Sequence, residues 1–510
     1  MHKPWSALEW RRDEGAVRRV WIGLCALFAV ALVIGAAGCA RAPEPAPRLD
    51  VKLVAEGLIS PVDVTFAPDT RGRRFIVDQT GLVLVLAPDH KLLPAPFLDI
   101  TKRVVIQSAF DERGLLALAF HPHFASNGKF YLHYSTAREG PNICVADNGE
   151  VPSDPAGCPL QYTRIVSELQ VSATDPNRAD PASERVIFKK QWPGRKHNGG
   201  GLAFGPDGLL YIGLGDGGFV HGPSGADDAF RIAPALLFGD RTAQDSSQLW
   251  GKILRIDVDR GTPYAIPPDN PFVGRAGIPG EIWAWGFRNP FRITFDRGGD
   301  RAMYVSAPAE TLFEATYKVT GPGNYGWADK EGTHCLVRTS AYAPPSSIAC
   351  TSDAQCAGGG PQRSFCGAKG VCTCSGRGPL GEPMRDPIVE YLNRSVEEAS
   401  SKLPGKGFGK ASVGGQLYRG KQIAWLRGKF VQGDFALNRL DGQIIVATEG
   451  TPGELWTLQR AFLFDAADPA RAGFVKSIGQ DADGELYAVT GLFTPTGVRG
   501  RVWKIVDGSR

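Results

Sequence analysis

The sequence predicts an all-β fold, a six-bladed β-propeller that carries a small disulfide-rich insertion. Three observations predict it. Short β-branched or aromatic runs such as FIV, VLVL, FYLHY and LLYIGL are bounded by glycine, proline or aspartate, which is how strands between tight turns read. Glycine (63) and proline (38) are abundant, and few convincing amphipathic helices stand out. A strand–turn–strand unit recurs six times along the chain.

The six copies are VTFAPDTRGRRFIVDQ (64–79), LAFHPHFASNGKFYLHYS (118–135), LAFGPDGLLYIGLGDG (202–217), ITFDRGGDRAMYVS (293–306), LYRGKQIAWLRGKFVQGDF (417–435) and IGQDADGELYAVTG (478–491). Each has an apolar strand, a Pro/Asp/Gly turn and a return strand whose residues alternate in facing. Their spacing is irregular because insertions separate them. Radial repetition of antiparallel units removes exposed sheet edges, so a propeller is the economical arrangement. A pair of stacked sheets would not account for six similar hairpins. The strands LDVKLVA (49–55) and GRVWKIV (500–506) are expected to share a blade and close the ring.

Ahead of the propeller (51–510) stands a targeting segment. Arg11, Arg12, Arg18 and Arg19 precede an apolar run from Val20 to Ala37, followed by Ala-Ala-Gly-Cys at 36–39. Charged, apolar and small-residue regions in that order form an export signal over 1–38. A cysteine directly after the small residues marks Cys39 as the lipidated first residue of a mature lipoprotein. An uncleaved membrane anchor is the alternative. Residues 39–50 read as a proline-rich linker. The lipoprotein and anchor readings, and a plain cleaved signal as a third, all place the folded part outside the cytoplasm. In the lipoprotein reading it faces the periplasm or the cell surface and meets the membrane only through the lipid anchor.

Cysteine usage agrees with an oxidising compartment. Of ten cysteines, Cys25 and Cys39 belong to the leader and eight remain. Cys144 and Cys158 bracket a polar loop and can pair. Cys335, Cys350, Cys356, Cys366, Cys372 and Cys374 crowd into an insertion over 335–376 that lacks an apolar run. Its connectivity is not readable, and zinc binding through Cys372-x-Cys374 is the alternative. The net charge of +4, without a basic block or basic helix, is no nucleic-acid footprint.

Motifs narrow the chemistry. GLGDGG (213–218) has the spacing of a dinucleotide loop, but FVHGPSGADD follows it where a helix is required. His197 stands just before the glycine run of RKHNGGG (195–201). An imidazole there, on a loop at a channel mouth, suits a general base, and the glycines let a ligand approach the backbone. A turn histidine bonded to backbone is the plain alternative. Arg288 and Asn289 lie in WAWGFRNPFRITFD (283–296). A forked, permanent positive charge suits carboxylate or quinone oxygens, and a bridge between blades is the alternative. Asn324, Tyr325 and Trp327 lie in a glycine-rich loop, where aromatics can stack on a planar ring or pack on the propeller. Glu112 and Arg113, ahead of an apolar strand, are expected to face solvent.

The segments ERGLLALAFHPHFASNGKFYLHYS, HNGGGLAFGPDGLLYIGLGDGG, QLWGKILRIDVD, WGFRNPFRITFD, GNYGWADKEGTHC, VGGQLYRG and GKFVQGDF occur in this order. Through them the chain, over roughly residues 50–510, resembles the soluble pyrroloquinoline quinone (PQQ) sugar dehydrogenases and their sister branch, the hedgehog-interacting-protein-like propellers. The resemblance implies PQQ over the channel mouth, a calcium ion polarising it, and oxidation of aldoses or related alcohols at C1 by hydride transfer, with electrons passed to an external acceptor. It carries the base over to His197 and the charge on the reduced quinone to Arg288. It places Glu112, Asn198, Asn289, Tyr325, Trp327, Arg439 and Lys476 at the cofactor. The Ala307 and Pro308 carbonyls and the Glu310 carboxylate are where calcium is expected. The stretches FVQGDFALNRL and GFVKSIGQDADGELY are more similar to the sister branch, for which redox activity is not implied. A non-catalytic cell-surface propeller that binds carbohydrate or protein is therefore the alternative, and a calcium-dependent lactonase or hydrolase a further one.

Overall fold

A computed structural model describes residues 47–509 except 107–110, 140–143, 146–161, 193–195, 219–230, 233–241, 311–312, 328, 336–363, 367–371, 375, 395–406, 438–439 and 495–496. The leader, Cys39, Arg439, and the side chains of the eight proposed disulfide cysteines lie outside this set.

Six antiparallel sheets form the propeller, and each of the six sequence repeats spans the hairpin between the two inner strands of one blade, although the fifth begins only at Leu417, the last residue of its inner strand Ser412–Leu417. Blade 1 runs outward through Pro61–Phe66, Arg74–Asp78, Leu82–Leu86 and Leu98–Asp99. Blade 2 runs through Leu115–Phe120, Lys129–Ala137, Tyr162–Val171 and Ala179–Trp192. Blade 3 is Leu202–Phe204, Leu210–Leu214, Lys252–Ile256 and Ile282–Trp285, extended by the parallel strand Gly323–Asn324. Blade 4 is Arg292–Phe295, Met303–Ala307, Phe313–Val319 and Val389–Leu392. Blade 5 is Ser412–Leu417, Phe430–Asp434, Gln443–Thr448 and Thr457–Leu463. Blade 6 joins both ends of the chain: Phe474–Gln480, Leu486–Thr494, Gly497–Asp507 and Leu49–Leu58. The expected closure holds, with Val51 opposite Ile505. It ties the ring through main-chain hydrogen bonds and leaves no gap between first and last blades.

The innermost strands touch their neighbours in turn around the ring. Apolar side chains from facing sheets form one core at each of the six seams: Phe75 and Phe130 between blades 1 and 2, Leu210 and Val166 between 2 and 3, and Val475 and Ile444 between 5 and 6. Burying such a side chain stabilises by about 1.5–3 kcal/mol. The fold is thus held at seams, and the central channel needs no core of its own. The cysteine-rich insertion falls between the third and fourth strands of blade 4. There, Ser364–Cys366 pairs with Cys372–Cys374 with Cys366 opposite Cys372.

Candidate functional site

Two cavities occupy the two mouths of the channel. One, of about 440 Å³, lies where the inner strands end and contains no residue singled out from the sequence apart from those of the strands themselves. The other, of about 370 Å³, lies where the inner strands begin, and it gathers His197, Arg288, Asn289, Glu112 and Lys476. Val62, Leu116, Phe291 and Val413 floor it. Beneath them, Arg292 donates to the carbonyls of Leu116 (2.8 Å) and Val62, which braces blades 1 and 2 against blade 4.

His197 lies on the connection from blade 2 to blade 3 that crosses this mouth. Its φ is +48°, a left-handed conformation uncommon for a residue other than glycine and held here by its surroundings. Gly199 follows with φ +70°, and any Cβ there would collide with the Gly213 carbonyl. Glu112 Oε2 accepts from His197 N at 2.6 Å, and Asn289 Oδ1 accepts from Gly199 N at 2.7 Å. Glu112 and Asn289 therefore hold the loop that presents the imidazole.

The imidazole has a partner that sequence reasoning missed. Asp216 Oδ1 lies 2.6 Å from His197 Nδ1, and both residues are buried. A carboxylate only accepts, so Nδ1 carries the proton and Nε2 is the nitrogen left for the cleft. Burial alone would raise the Asp216 carboxyl, but its interaction with His197, with Arg288 and the Gly218 N–H nearby, holds it below the usual carboxylate range. A signal for Asp216 existed. Leu202 pairs with Ile212, and extending that hairpin register beyond the strands brings 197–198 opposite 216–217.

Cations gather around the base. Lys476 Nζ donates to Ser60 Oγ (2.8 Å) and Gln79 Oε1 (3.3 Å), and burial pushes its ammonium down to about 8. Lys196 lines the same cleft. The Arg288 guanidinium reaches Glu310 through Nε (2.7 Å) and Nη2 (2.5 Å), and its Nη1 donates to the Pro308 carbonyl at 3.2 Å. Burial would lower the Arg288 guanidinium, but Glu310 and Asp216 outweigh it and raise it.

Several expectations are corrected by this geometry. Glu310 and the Pro308 carbonyl do not form a calcium cage, because the Arg288 guanidinium is bound to Glu310 Oε2 and to that carbonyl, and its positive charge opposes a second cation there. Ala307 sits within a strand, opposite Ala315. Among the described residues no cluster of three or more His, Cys, Asp or Glu side chains could hold a metal ion. Tyr325 does not line the mouth. It is 1% exposed and stacks on Phe287 at 4.7 Å in the seam between blades 3 and 4. Trp327 stands behind the site, where its Nε1 donates to Asp216 Oδ2 at 2.8 Å. The cause is shared: Gly323–Asn324 docks in parallel on Ile282–Trp285, which pins the loop to the blade. Asn198 is buried and lies outside the cleft lining. Arg113 is fully buried and pairs with Asp111 at 2.6 Å instead of facing solvent.

The residues present suit a planar polycarboxylate quinone. Lys196, Arg288 and Lys476 supply positive charge within a concave, largely apolar cleft that also holds the imidazole. They do not suit calcium at 307–310.

Comparison with known proteins follows the same line. The glucose/sorbosone dehydrogenase family model matches residues 58–334. The hedgehog-interacting protein of Mus musculus is 29% identical over 475 residues, 91% of this chain and 53% of that protein. The aldose sugar dehydrogenase YliI of Escherichia coli K12 is 29% identical over 244 residues, 48% of this chain and 52% of that one. The chain thus spans about half the length of each. The crystal structure of the soluble aldose sugar dehydrogenase of Escherichia coli, in its apo form, superposes with a TM-score of 0.59 at 20% identity and covers 90% of this chain and 99% of that one. That likeness is one of fold.

Proposed function

The chain belongs to the glucose/sorbosone dehydrogenase family, and we propose that this protein is a PQQ-dependent oxidoreductase that oxidises the C1 hydroxyl of aldose sugars or related alcohols. One observation carries the proposal: a buried His197–Asp216 pair sits in a cleft ringed by Lys196, Arg288 and Lys476. Lys476, Lys196 and Arg288 would hold the carboxylates and ring oxygens of PQQ. The chemistry that PQQ supplies is acceptance of the C1 hydride.

The chain's own residues do the rest. His197 Nε2 takes the proton of the C1 hydroxyl. Asp216, ionised and fixed on Nδ1, stabilises the imidazolium that results. Glu112 and Asn289 keep the loop from swinging away. The apolar floor excludes water, so that charges in the cleft act in a low dielectric. Export, attachment through Cys39 and delivery of electrons to an external acceptor are parts of the same proposal.

The second reading is a propeller that binds carbohydrate or protein at the cell surface without redox chemistry. The Arg288–Glu310 ion pair favours it, because it fills the place where calcium was expected. One titration separates the two. Purified protein is mixed with PQQ, with and without calcium, and assayed against a sugar panel with a dye acceptor. The dehydrogenase reading expects a shift in quinone absorbance and dye reduction. Absence of both leaves the binding reading.

A further inference from the structure

Segments far apart in the chain meet in one buried hydrogen-bonded assembly behind His197, and its root is Lys252. Lys252 opens the third strand of blade 3 and has no exposed surface. Its Nζ donates to three main-chain carbonyls: Thr242 at 2.9 Å, Ala243 at 3.0 Å and Trp250 at 2.6 Å. An ammonium has three donors, and here each has an acceptor. The three bonds pin both ends of the loop 242–251 to one point.

From that loop two arms reach Asp216. The shorter is Thr242 Oγ1, which donates to the Asp216 carbonyl at 3.0 Å. The longer runs through side-chain amides. Gln244 and Asn324 exchange hydrogen bonds of 2.9 and 2.7 Å, and Gln244 Nε2 also donates to the Trp327 carbonyl at 2.6 Å. Trp327 Nε1 then donates to Asp216 Oδ2 at 2.8 Å. The other oxygen, Oδ1, takes His197 Nδ1 and the Gly218 N–H. Both carboxylate oxygens are thereby committed, and Gln244, Asn324, Trp327 and Asp216 are all buried.

We infer that Lys252 is a positioning residue for the His197 imidazole: through loop 242–251 and Trp327 it holds Asp216 so that the proton stays on Nδ1 and Nε2 stays bare. The inference rests on the reading of His197 as proton acceptor. An apolar side chain would fill the same space without desolvating a charge, so packing does not explain a lysine here. Burial pulls the Lys252 ammonium down to about 7, against Asp245 and Asp216, which favour its charge. The loop therefore depends on a group whose charge is costly to keep, held by three carbonyl acceptors and favoured by the two carboxylates.

The test needs neither cofactor nor substrate. Protein carrying 15N-labelled histidine is compared with Lys252→Met and Gln244→Leu, with the His197 signals assigned by His197→Gln. Wild type should show a protonated Nδ1 and a bare Nε2. Each variant that keeps wild-type circular dichroism should show a mixture of both tautomers. Folded variants with the wild-type pattern would overturn the inference. Should Lys252→Met fail to fold, Lys252→Gln, which keeps an amide donor but not three, takes its place, and Gln244→Leu reports on the longer arm separately. The dehydrogenase assay is read separately. An inactive wild type with a Lys252-dependent tautomer removes the dehydrogenase reading and keeps the positioning role. An active wild type with unchanged tautomers in both variants does the reverse.

Discussion

Arg288 and Glu310 form an ion pair, 2.5 Å from Nη2 to Oε2, at the rim of the cleft that holds His197. The same guanidinium donates to the Pro308 carbonyl. One side chain thus occupies two of the groups that the sequence resemblance assigns to calcium. A permanent cation on a tether competes with a free ion at no translational cost, so calcium at Glu310 would have to displace it.

Calcium should therefore leave the melting temperature of the wild type unchanged, and chelation should leave it unchanged too. Arg288→Met releases Glu310 and should create weak calcium binding, readable by calorimetry. A ligand at a hundred times its Kd adds about 2.7 kcal/mol of stability, so a clear calcium-induced rise in wild-type melting would contradict the ion pair.

His197→Asn should lower turnover by about 10²- to 10⁴-fold, the usual share of a general base. Asparagine tolerates the left-handed φ of +48° at this position, so folding should survive. Steady-state kinetics with the dye acceptor gives the answer, and an unchanged kcat would remove His197 from the role.

Lys476 gives the cleft a pH dependence. Its ammonium is held down to about 8 by burial, against about 10.4 in an unfolded chain. Below about 8 it is charged and attracts anions. Affinity for PQQ, or for a carboxylate surrogate, should fall as pH rises through about 8, and Lys476→Met should flatten that fall. Stability moves the other way. Between about 8 and 10.4 the unfolded chain binds the extra proton, so this group makes the protein more stable as pH rises there. Fluorescence titration across pH 7–10 measures the first effect and thermal melts the second.

Glu314 lies behind the cleft wall, where its Oε2 accepts from Ala309 N (3.2 Å) and Ser412 N (2.9 Å). Burial, with the nearby Asp434 charge, pushes its carboxyl up to about 8. The folded form binds a proton that the unfolded form releases near 4.5. The stability it contributes is full below about 4.5 and is lost as pH rises to about 8. Glu314→Gln should shrink the fall in melting temperature across that window, and an equal pH dependence in the variant would count against a protonated Glu314.

How much of this was legible in the chain depends on the range over which each feature is encoded. A strand, a tight turn and a return strand are written within about 15–20 residues, so all six hairpins and the closing pair were readable. The rim residues His197, Arg288 and Asn289 stood out through short motifs, HNGGG and GFRNP, and it was the family resemblance carried by those motifs that assigned them to the site. Glu112 was found, but its task, a hydrogen bond to a main-chain N–H 85 residues later, was not.

The sequence by itself determined the propeller, its ring closure and which connections border the site, since local strand periodicity and turn chemistry dictate those. Tertiary structure alone decided the partners. It joined Asp216 to His197, gave Glu310 to Arg288, buried Tyr325 against Phe287 and anchored Trp327 behind the base. Each of these depends on two segments meeting across a seam or a mouth, where a hydrogen bond forms only within about 3 Å and apolar contact excludes water. Such distances are set by how whole blades pack, and no stretch of chain records them.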